Sequence, residues 1–387
     1  MAGLEIESIY NPGESLQNIV GGEIVSIEKH PDADRLKVCQ VDVGSEKLQI
    51  VCGAPNARAG IKVPCALIGT KFPEFTIKKS KLRGVESFGM CCSAKEIGLS
   101  EEADGLMELS LDLINGDPIA KALKLNDSVI EVSLTPNRAD CLSILGIARE
   151  VRSIKGLPFD MPKINQLTSN DQCKITPNVI NTEACPVYSY ASISQLNNSA
   201  QLPDEIIHRL DSADIKSINP VVDLVNYVML ETGQPMHAFD LNKIKGNVVI
   251  RNASKFEKMT LLNDQTIEVI ENDLVIADDN CPLALAGVMG GLDSSVETNT
   301  TDIFIESAFF TPVSMAGKAR RYGLNTDSSH RFERGVEFSQ TEHALTRVIT
   351  LINEYCGGPT SRVSSVSHDV PQRCQIQLRP SKVTRIL

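Results

Sequence analysis

The chain has 387 residues, of which 42% are hydrophobic and 22% are charged, a composition typical of a globular protein with two or three domains. Its formal net charge of −11 argues against indiscriminate binding to nucleic acid but is compatible with a local basic surface. The lack of tryptophan and the 4% aromatic content leave few side chains that can stack on single-stranded bases.

Membrane, secretory and metal-binding classes are not indicated. No apolar run reaches the roughly 18 residues that a membrane helix needs. The start of the chain, MAGLEIESIYNPG, lacks the basic segment of a secretory signal. The 11 cysteines contain no CxxC pair, which argues against a zinc site and against a disulfide framework. We therefore predict a cytoplasmic protein with reduced, buried thiols, no membrane contact and no bound metal.

The first predicted domain, residues 16–125, consists of short alternating runs of apolar and polar residues. Turn sequences such as HPDAD, VGSEK and GAPNARAG separate these runs. Strands that recur about every ten residues, with turns between them, predict a small antiparallel barrel. Residues 1–15 precede it and contain an alternating strand pattern of their own.

A basic cluster lies within this domain, in the sequence KFPEFTIKKSKLRG. Its cations are opposed only by Glu74, and they are Lys71, Lys78, Lys79, Lys81 and Arg83. Binding to nucleic-acid phosphates requires mobile cations on an exposed edge, which this cluster offers. The alternative is a solvated loop without a ligand, and the sequence leaves both interpretations open.

Residues 126–182 are predicted to connect two domains. A strand from Val129 to Leu134 is followed by a helix that Asp140 is expected to cap and that ends near Gly156. The stretch after this helix is rich in Pro, Asn and Ser, which is typical of a linker.

Residues 183–364 mix strand and helix patterns, which predicts an α+β domain with a mixed sheet. The sequence NPVVDLVNYVMLET has helical spacing and ends at Gly233-Gln234-Pro235. His237 is then expected on a fresh turn, in the wall of a small-molecule pocket. The simpler alternative is a helix C-cap followed by a packed core histidine.

Two later stretches favour a pocket. LALAGVMGG places glycines in an apolar run, where a backbone without Cβ atoms can approach a ligand closely. IFIESAFF places Glu306 near the predicted end of a strand, and a carboxylate there is costly to bury without a partner. The alternative for the glycines is tight packing of a strand against a turn.

Several motifs together carry a specific resemblance. INPVVD, NYVMLETGQPMHAFD, LALAGVMGG, ESAFF and TDSSHRFERG occur in this order over roughly 120 residues and resemble the editing module of the bacterial phenylalanine–tRNA ligase β subunit. KHPDADRLKVCQVD and IVCGAPN resemble the OB-fold that several tRNA synthetases and stand-alone tRNA-binding proteins share. The resemblance implies a multidomain α+β chain, with a β-barrel OB-fold tRNA-binding domain at 16–125 and a mixed α/β editing domain at 183–364.

The resemblance also implies partners and an activity. In this family, an α2β2 heterotetramer attaches phenylalanine to its tRNA using ATP and Mg²⁺, and the aminoacylation site lies in the α subunit. The fragment itself is expected to need no cofactor, to bind tRNA(Phe), and to hydrolyse mischarged tyrosyl-tRNA(Phe). Both ends look cut: 1–15 is expected to pack with 126–182, and 365–387 is expected to begin a following domain.

The residues that match the catalytic and pocket positions of the family are His237, Glu306, Asn226, Thr326, Ala286, Gly287, Gly290 and Ser328. Glu306 matches the position that accepts the phenolic hydroxyl of tyrosine, for which a carboxylate is chemically suited. His237 or the ribose hydroxyl of the substrate orients the water, and glycine N–H groups are candidate donors to the oxyanion. Val225 stands where many relatives carry threonine, so hydrolysis is expected to be weaker or to use another hydroxyl.

Two other functions remain as alternatives. The chain is a non-catalytic platform that binds tRNA and the α subunit while its pocket is inert, or it is an unrelated metallohydrolase that uses His237, Asp240 and Glu306. The second is disfavoured because no two of these residues have metal-binding spacing on one element.

Overall fold

The computed structural model describes residues 3–99, 105–164, 169, 171–372 and 374–386. The chain forms two compact units. The first, here called the barrel unit, is Glu5–Ser133, and the second, here called the larger unit, is Met1–Leu4 with Leu134–Leu387. Within the described ranges, no helix is long and apolar enough to cross a membrane.

The barrel unit is built mainly of strands. They are β1 (Leu4–Tyr10), β2 (Ile19–Lys29), β3 (Lys37–Asp42), β4 (Lys47–Cys52), β5 (Lys62–Leu67), β6 (Ser80–Leu82), β7 (Val85–Ser87), β8 (Gly89–Cys91) and β9 (Val129–Leu134), with a short helix α1 (Ile119–Ala122). Five of these strands form one sheet in the order β4-β3-β2-β5-β8, and β1 pairs with β9.

The two edges of the five-stranded sheet approach each other. The Phe88 N–H, just before β8, donates to the Gln49 carbonyl of β4 at 2.9 Å. Alternate residues of the strands point inward, and Ile24, Val41 and Ile50 are fully buried there. The predicted antiparallel barrel is confirmed as a nearly closed, barrel-like sheet.

The larger unit mixes strands and helices. Its strands are β10 (Asn178–Val179), β11 (Val187–Ile193), β12 (Met236–Asp240), β13 (Val249–Asn252), β14 (Lys258–Thr260), β15 (Thr266–Glu268), β16 (Leu274–Ala277), β17 (Pro282–Leu285), β18 (Met289–Gly290), β19 (Ile303–Phe309) and β20 (Ser364–Ser367). Its helices are α2 (Ile144–Lys155), α3 (Asp204–Asp211), α4 (Pro220–Thr232), α5 (Pro312–Met315), α6 (Lys318–Arg321), α7 (Asp327–Arg334), α8 (Thr341–Tyr355) and α9 (Pro380–Ile386).

This unit contains three packed layers. The middle layer is the sheet β12-β19-β11-β20, and a second sheet has the order β10-β13-β16-β17-β18. One face of the middle sheet packs on α3, α4 and α8 through residues such as Ile303 and Ile305. The opposite face packs on the second sheet through residues such as Phe239 and Phe304. Every residue of β11 and β19 is therefore buried.

Helix α4 forms where the sequence predicts it, with clear signals at both ends. The Asn219 side chain caps the start by accepting from the Val222 N–H at 3.1 Å. Gly233 ends the helix with φ of 80°, in the left-handed region that glycine favours.

Three local predictions are wrong. Asp140 lies in a 3-10 turn, and the cap of α2 is Ser143, whose hydroxyl accepts from the Gly146 N–H at 3.0 Å. His237 lies in strand β12 rather than on a turn, because pairing with β19 outweighs the local break at Pro235. Glu306 is the central residue of β19 rather than near its end.

Strand β20 begins at residue 364, where the editing domain is predicted to end. It pairs with β11 from Ser364, opposite Tyr190, to Ser367, opposite Val187. The middle sheet therefore continues three residues past that predicted boundary.

Candidate functional site

His237 and Glu306 lie directly opposite each other on the antiparallel strands β12 and β19. Tyr190 of β11 is opposite Glu306 on its other side. Residues opposite each other in an antiparallel pair point to the same face of the sheet. All three side chains therefore project into the layer between the two sheets, rather than towards the helices.

A cavity of about 50 Å³ lies beside His237 and Glu306. Its other walls come from the β17–β18 turn, which includes Gly287 and Gly290, and from Ser328 in the first turn of α7. The full lining set is Pro235, Met236, His237, Ile276, Ala284, Leu285, Gly287, Val288, Met289, Gly290, Glu306, Phe310, Ser328 and Phe332. This volume is well below the roughly 300–1,000 Å³ of pockets that hold drug-sized ligands.

Burial controls the charge of the two polar residues. It raises the pKa of Glu306 to about 8 and lowers the pKa of His237 to about 4. At neutral pH the site therefore holds a mostly protonated carboxyl group beside a neutral imidazole. Glu306 Oε2 and His237 Nε2 are both buried without a hydrogen-bond partner in the described chain, so they are available to a ligand.

Gly290 permits the position of the His237 ring. A Cβ atom built on Gly290 would lie 2.4 Å from His237 Cε1 and 2.5 Å from His237 Nε2. Gly287 has φ of 67°, and a Cβ there would lie 2.6 Å from Met315 Cε. Close contacts with protein side chains thus favour glycine at both positions. Both glycines line the cavity, and their role as a backbone wall for a substrate stays a prediction.

Thr326 shapes the wall without lining the cavity. It is the N-cap of α7, and its hydroxyl accepts from the Ser329 N–H at 3.1 Å. The same hydroxyl donates to the Val288 carbonyl at 2.9 Å, which ties the cap to the β17–β18 turn. These two bonds give the hydroxyl a positioning role in this structure, and its catalytic assignment stays a prediction.

Asn226 and Ala286 are predicted site residues that the structure does not bring to the cavity. Asn226 lies on α4, which packs on the helix-facing side of the middle sheet. Val225, on the same helix, is buried in that apolar cluster. Ala286 is buried behind the wall, where its N–H donates to the Leu274 carbonyl at 3.0 Å.

The sequence interpretation missed three aromatic residues around this site. Phe310 and Phe332 line the cavity as an edge-to-face pair, with ring centroids 5.0 Å apart. Tyr188 is fully buried on β11, and its hydroxyl has no hydrogen-bond partner in the described ranges. The motifs ESAFF and HRFERG contain both phenylalanines, but only the tertiary structure brings them together.

The metallohydrolase alternative has no ligand cluster around His237 in the part of the chain that the structure describes. In the described part of the chain, the single group of side chains that could hold a metal ion is Asp140, Cys141 and Glu150, which does not include His237. The Arg138 guanidinium contacts the Asp140 carboxylate at 3.1 Å and the Glu150 carboxylate at 2.7 Å, so it already offsets part of their negative charge.

The basic cluster of the barrel unit lies on and before the β6–β7 hairpin, and all five cations are exposed. Lys79 is partly neutralised by Glu86 at 3.1 Å and lies 4.9 Å from the centroid of the Phe88 ring. Phe72 and the half-exposed Phe75 stack with centroids 5.0 Å apart, a pair that the sequence interpretation did not single out. Exposed cations beside an aromatic surface suit a nucleic-acid interface.

Family models match both units. Residues 19–118 match the model described as "Putative tRNA binding domain", and residues 184–357 match the model described as "B3/4 domain". The first match lies within the predicted OB-fold range and the second within the predicted editing range.

Curated relatives match the whole chain. It is 48% identical to the phenylalanine–tRNA ligase beta subunit of Hahella chejuensis, 46% to that of Aromatoleum aromaticum and 47% to that of Dechloromonas aromatica. Each match covers 100% of this chain and 49% of the relative, so the chain spans about half the length of the curated relatives it matches. The chain is therefore homologous over its full length to phenylalanine–tRNA ligase β subunits, and it contains a tRNA-binding domain and a B3/4 domain.

Proposed function

We propose that this chain is the part of a phenylalanine–tRNA ligase β subunit that binds tRNA(Phe) and hydrolyses tyrosyl-tRNA(Phe). The observation that carries the proposal is the pair His237 and Glu306, which presents two buried, unpartnered polar atoms at one cavity. Buried polar atoms without partners are rare in proteins, and at the wall of a cavity they can receive hydrogen bonds from a ligand or from water.

The two residues have separate roles in the proposed reaction. Glu306 pairs with the phenolic hydroxyl of the tyrosyl group, and as a protonated acid it both donates and accepts hydrogen bonds. Neutral His237 accepts a hydrogen bond from the attacking water through Nε2 and orients it towards the ester carbonyl. No covalent intermediate is proposed, because the motifs of the chain contain no nucleophile elbow.

Selectivity for tyrosine follows from the cost of leaving Glu306 unpaired. A phenylalanyl group would bury its ring against Glu306 without offering a hydrogen bond, at a cost of about 1–3 kcal/mol. A site that hydrogen-bonds a hydroxyl rejects the analogue without it, and correctly charged tRNA is thereby spared.

The wall must widen to admit a tyrosyl ring, since a cavity of about 50 Å³ is several times smaller than typical ligand pockets of roughly 300–1,000 Å³. Met289, which is partly exposed and lines the cavity, is the side chain best suited to move. Methionine has three rotatable bonds and adapts to irregular shapes at small cost.

The remaining assignments belong to the same proposal. Residues 16–125 act as the OB-fold tRNA-binding domain and 183–364 as the editing domain, with 1–15 packing against 126–182 and 365–387 beginning a further domain. In the whole enzyme the partner is an α subunit in an α2β2 heterotetramer, and ATP and Mg²⁺ serve aminoacylation there. No cofactor is proposed for the chain itself.

Deacylation of tyrosyl-tRNA(Phe) by the 387-residue chain tests the hydrolytic function. We expect this chain to hydrolyse tyrosyl-tRNA(Phe) much faster than phenylalanyl-tRNA(Phe). The variant Glu306→Ala should lower the rate for tyrosyl-tRNA(Phe) towards the spontaneous rate. The matched control is Glu342→Gln, an exposed glutamate on α8, which should leave the rate unchanged. A wild-type rate equal to the spontaneous rate would contradict the proposal.

The small cavity also favours the second candidate function, a platform that binds tRNA and the α subunit with an inert pocket. This function predicts tRNA binding without hydrolysis, even when the chain is assembled with the rest of the enzyme. Hydrolysis that depends on Glu306 excludes it.

Binding to tRNA is tested through the exposed lysines of the basic cluster. Lys78→Gln with Lys81→Gln should weaken binding of tRNA(Phe) and lower the slope of log affinity against log salt by about one for each phosphate that is no longer neutralised. Lys121→Gln on α1 is the control, because its side chain is also exposed but lies outside the cluster. An unchanged slope in the double variant would place the tRNA elsewhere.

A further inference from the structure

Tyr188 lies close to the proposed site without lining its cavity. It is on β11, two residues before Tyr190, which is directly opposite Glu306. Its own partner across the strands is Ala308, so Tyr188 and Glu306 are diagonal neighbours on the same face of the sheet. Diagonal neighbours are about 7–8 Å apart at Cα, which is within reach of long and aromatic side chains.

The Tyr188 hydroxyl and Glu306 Oε2 share an unusual condition. Both atoms are buried and neither has a hydrogen-bond partner in the described chain. They therefore do not bond each other directly. Burial raises the pKa of Tyr188, and Glu306, once ionised, is close enough to raise it further. A buried site with two polar partners can hold one ordered water.

The other titratable groups near Tyr188 offer no better acceptor. The thiols of Cys185 and Cys173 contribute smaller effects in the same direction on its pKa, and no cation contributes. Cys185 is fully buried and directs its Sγ to the Val187 carbonyl at 3.6 Å. His237 is across the sheet, on the far side of Glu306.

We propose that Tyr188 is a positioning residue for hydrolysis, whose hydroxyl holds the Glu306 carboxyl group through one buried water. Tyr188 is not among the lining residues, so it acts on the carboxyl group without entering the cavity. A carboxyl oxygen has two lone pairs, so Oε2 can accept a hydrogen bond from this water and one from the substrate. The link fixes the carboxyl group in the orientation that meets the phenolic hydroxyl of the substrate. The effect on hydrolysis rests on the proposed function, whereas the link to Glu306 is a property of the chain alone.

The variant Tyr188→Phe removes the hydroxyl and retains the ring. The expected result is a fall of about five- to tenfold in kcat for tyrosyl-tRNA(Phe), the effect of one missing hydrogen bond, with KM nearly unchanged. Tyr355→Phe is the control, since it also loses a phenolic hydroxyl in the larger unit but lies on α8, on the helix-facing side of the middle sheet and outside the cavity lining, and it should retain the wild-type rate. Equal rates for Tyr188→Phe and wild type would overturn the proposal.

A second measurement does not depend on hydrolysis. Glu306 is titrated by carbon NMR in protein labelled at its glutamate carboxyl carbons, with Glu306→Gln identifying the signal. Loss of the donor in Tyr188→Phe should raise the midpoint by about half to one pH unit, because a donor stabilises the carboxylate form. An unchanged midpoint would show that Tyr188 does not act on Glu306.

A failure of the proposed hydrolytic function can be distinguished from a failure of the proposed link between Tyr188 and Glu306. If wild-type protein does not hydrolyse the ester, the proposed function fails, while the NMR titration still decides the link between Tyr188 and Glu306. In the Glu306→Gln background, Tyr188→Phe should have no further effect on kcat. An additive loss in that background would assign Tyr188 a role independent of Glu306.

Discussion

Glu306 and His237 face each other across the β12–β19 pair, and burial keeps both side chains largely uncharged at neutral pH. A buried carboxylate beside an imidazolium would make an ion pair, but burial shifts each pKa towards the neutral form. The pair therefore offers hydrogen bonds rather than charge. The effect of the two pKa shifts on the free energy of unfolding can be measured separately from their effect on ester hydrolysis.

The stability of the larger unit should fall as pH rises towards 8. The folded-state pKa of Glu306 is raised from 4.5 to about 8, so the folded state retains a proton that the unfolded chain releases. The contribution is fully present below pH 4.5 and is lost as pH rises through about 8, on the order of 5 kcal/mol in all. Urea unfolding at pH 5 and pH 8 should show a smaller difference in Glu306→Gln than in wild type. Equal differences in the two proteins would contradict the raised pKa.

His237 should remain neutral throughout the physiological range. Its pKa is lowered from 6.5 to about 4 by burial, so its ring should not titrate between pH 5.5 and 8. The sign for stability is opposite to that of Glu306: the free energy of unfolding should fall as pH drops from 6.5 towards 4, because the unfolded chain takes up the proton first. NMR of the imidazole nitrogens, assigned with His237→Gln, measures the titration. A midpoint near 6.5 would mean that the ring is solvated.

Gly290→Ala should displace the His237 ring. The added Cβ would lie 2.4 Å from His237 Cε1, so either the ring or the β17–β18 turn has to move. We expect a decrease of about 1–3 kcal/mol in stability, as for overpacking elsewhere, and a loss of ester hydrolysis. Gly53→Ala is the control, because its nearest neighbour, Leu36 Cδ2, is 3.3 Å from the added atom and is the end of a flexible side chain. Unaltered His237 signals in Gly290→Ala would refute this expectation.

Thr326 should contribute to the site only through its hydroxyl. Thr326→Val removes both the cap of α7 and the bond to the Val288 carbonyl, which should cost about 1–2 kcal/mol in thermal or urea unfolding. Thr326→Ser retains the hydroxyl and should stay close to wild type in stability and in hydrolysis. A Ser variant as impaired as the Val variant would show that the methyl group, not the hydroxyl, matters.

Much of the local structure could be predicted because short-range signals were strong. Asn219 and Gly233 mark the ends of α4, and alternation along Lys37–Asp42 marks a barrel strand. Predictions from local sequence signals were wrong where pairing between distant strands determines the structure. Pro235 suggested a turn at His237, but hydrogen bonds to β19 hold that segment as a strand.

The sequence by itself, through its family resemblance, indicated five residues that line the cavity: Gly287, Gly290, Ser328, His237 and Glu306. Tertiary structure alone decided that Asn226 lies on the other face of the sheet, since its side depends on how α4 packs. It also decided the charges of Glu306 and His237, because a pKa responds to burial by residues distant in sequence. Tyr188 lies near Glu306 because of the register of β11 against β19, and this register depends on residues that are far apart in the sequence.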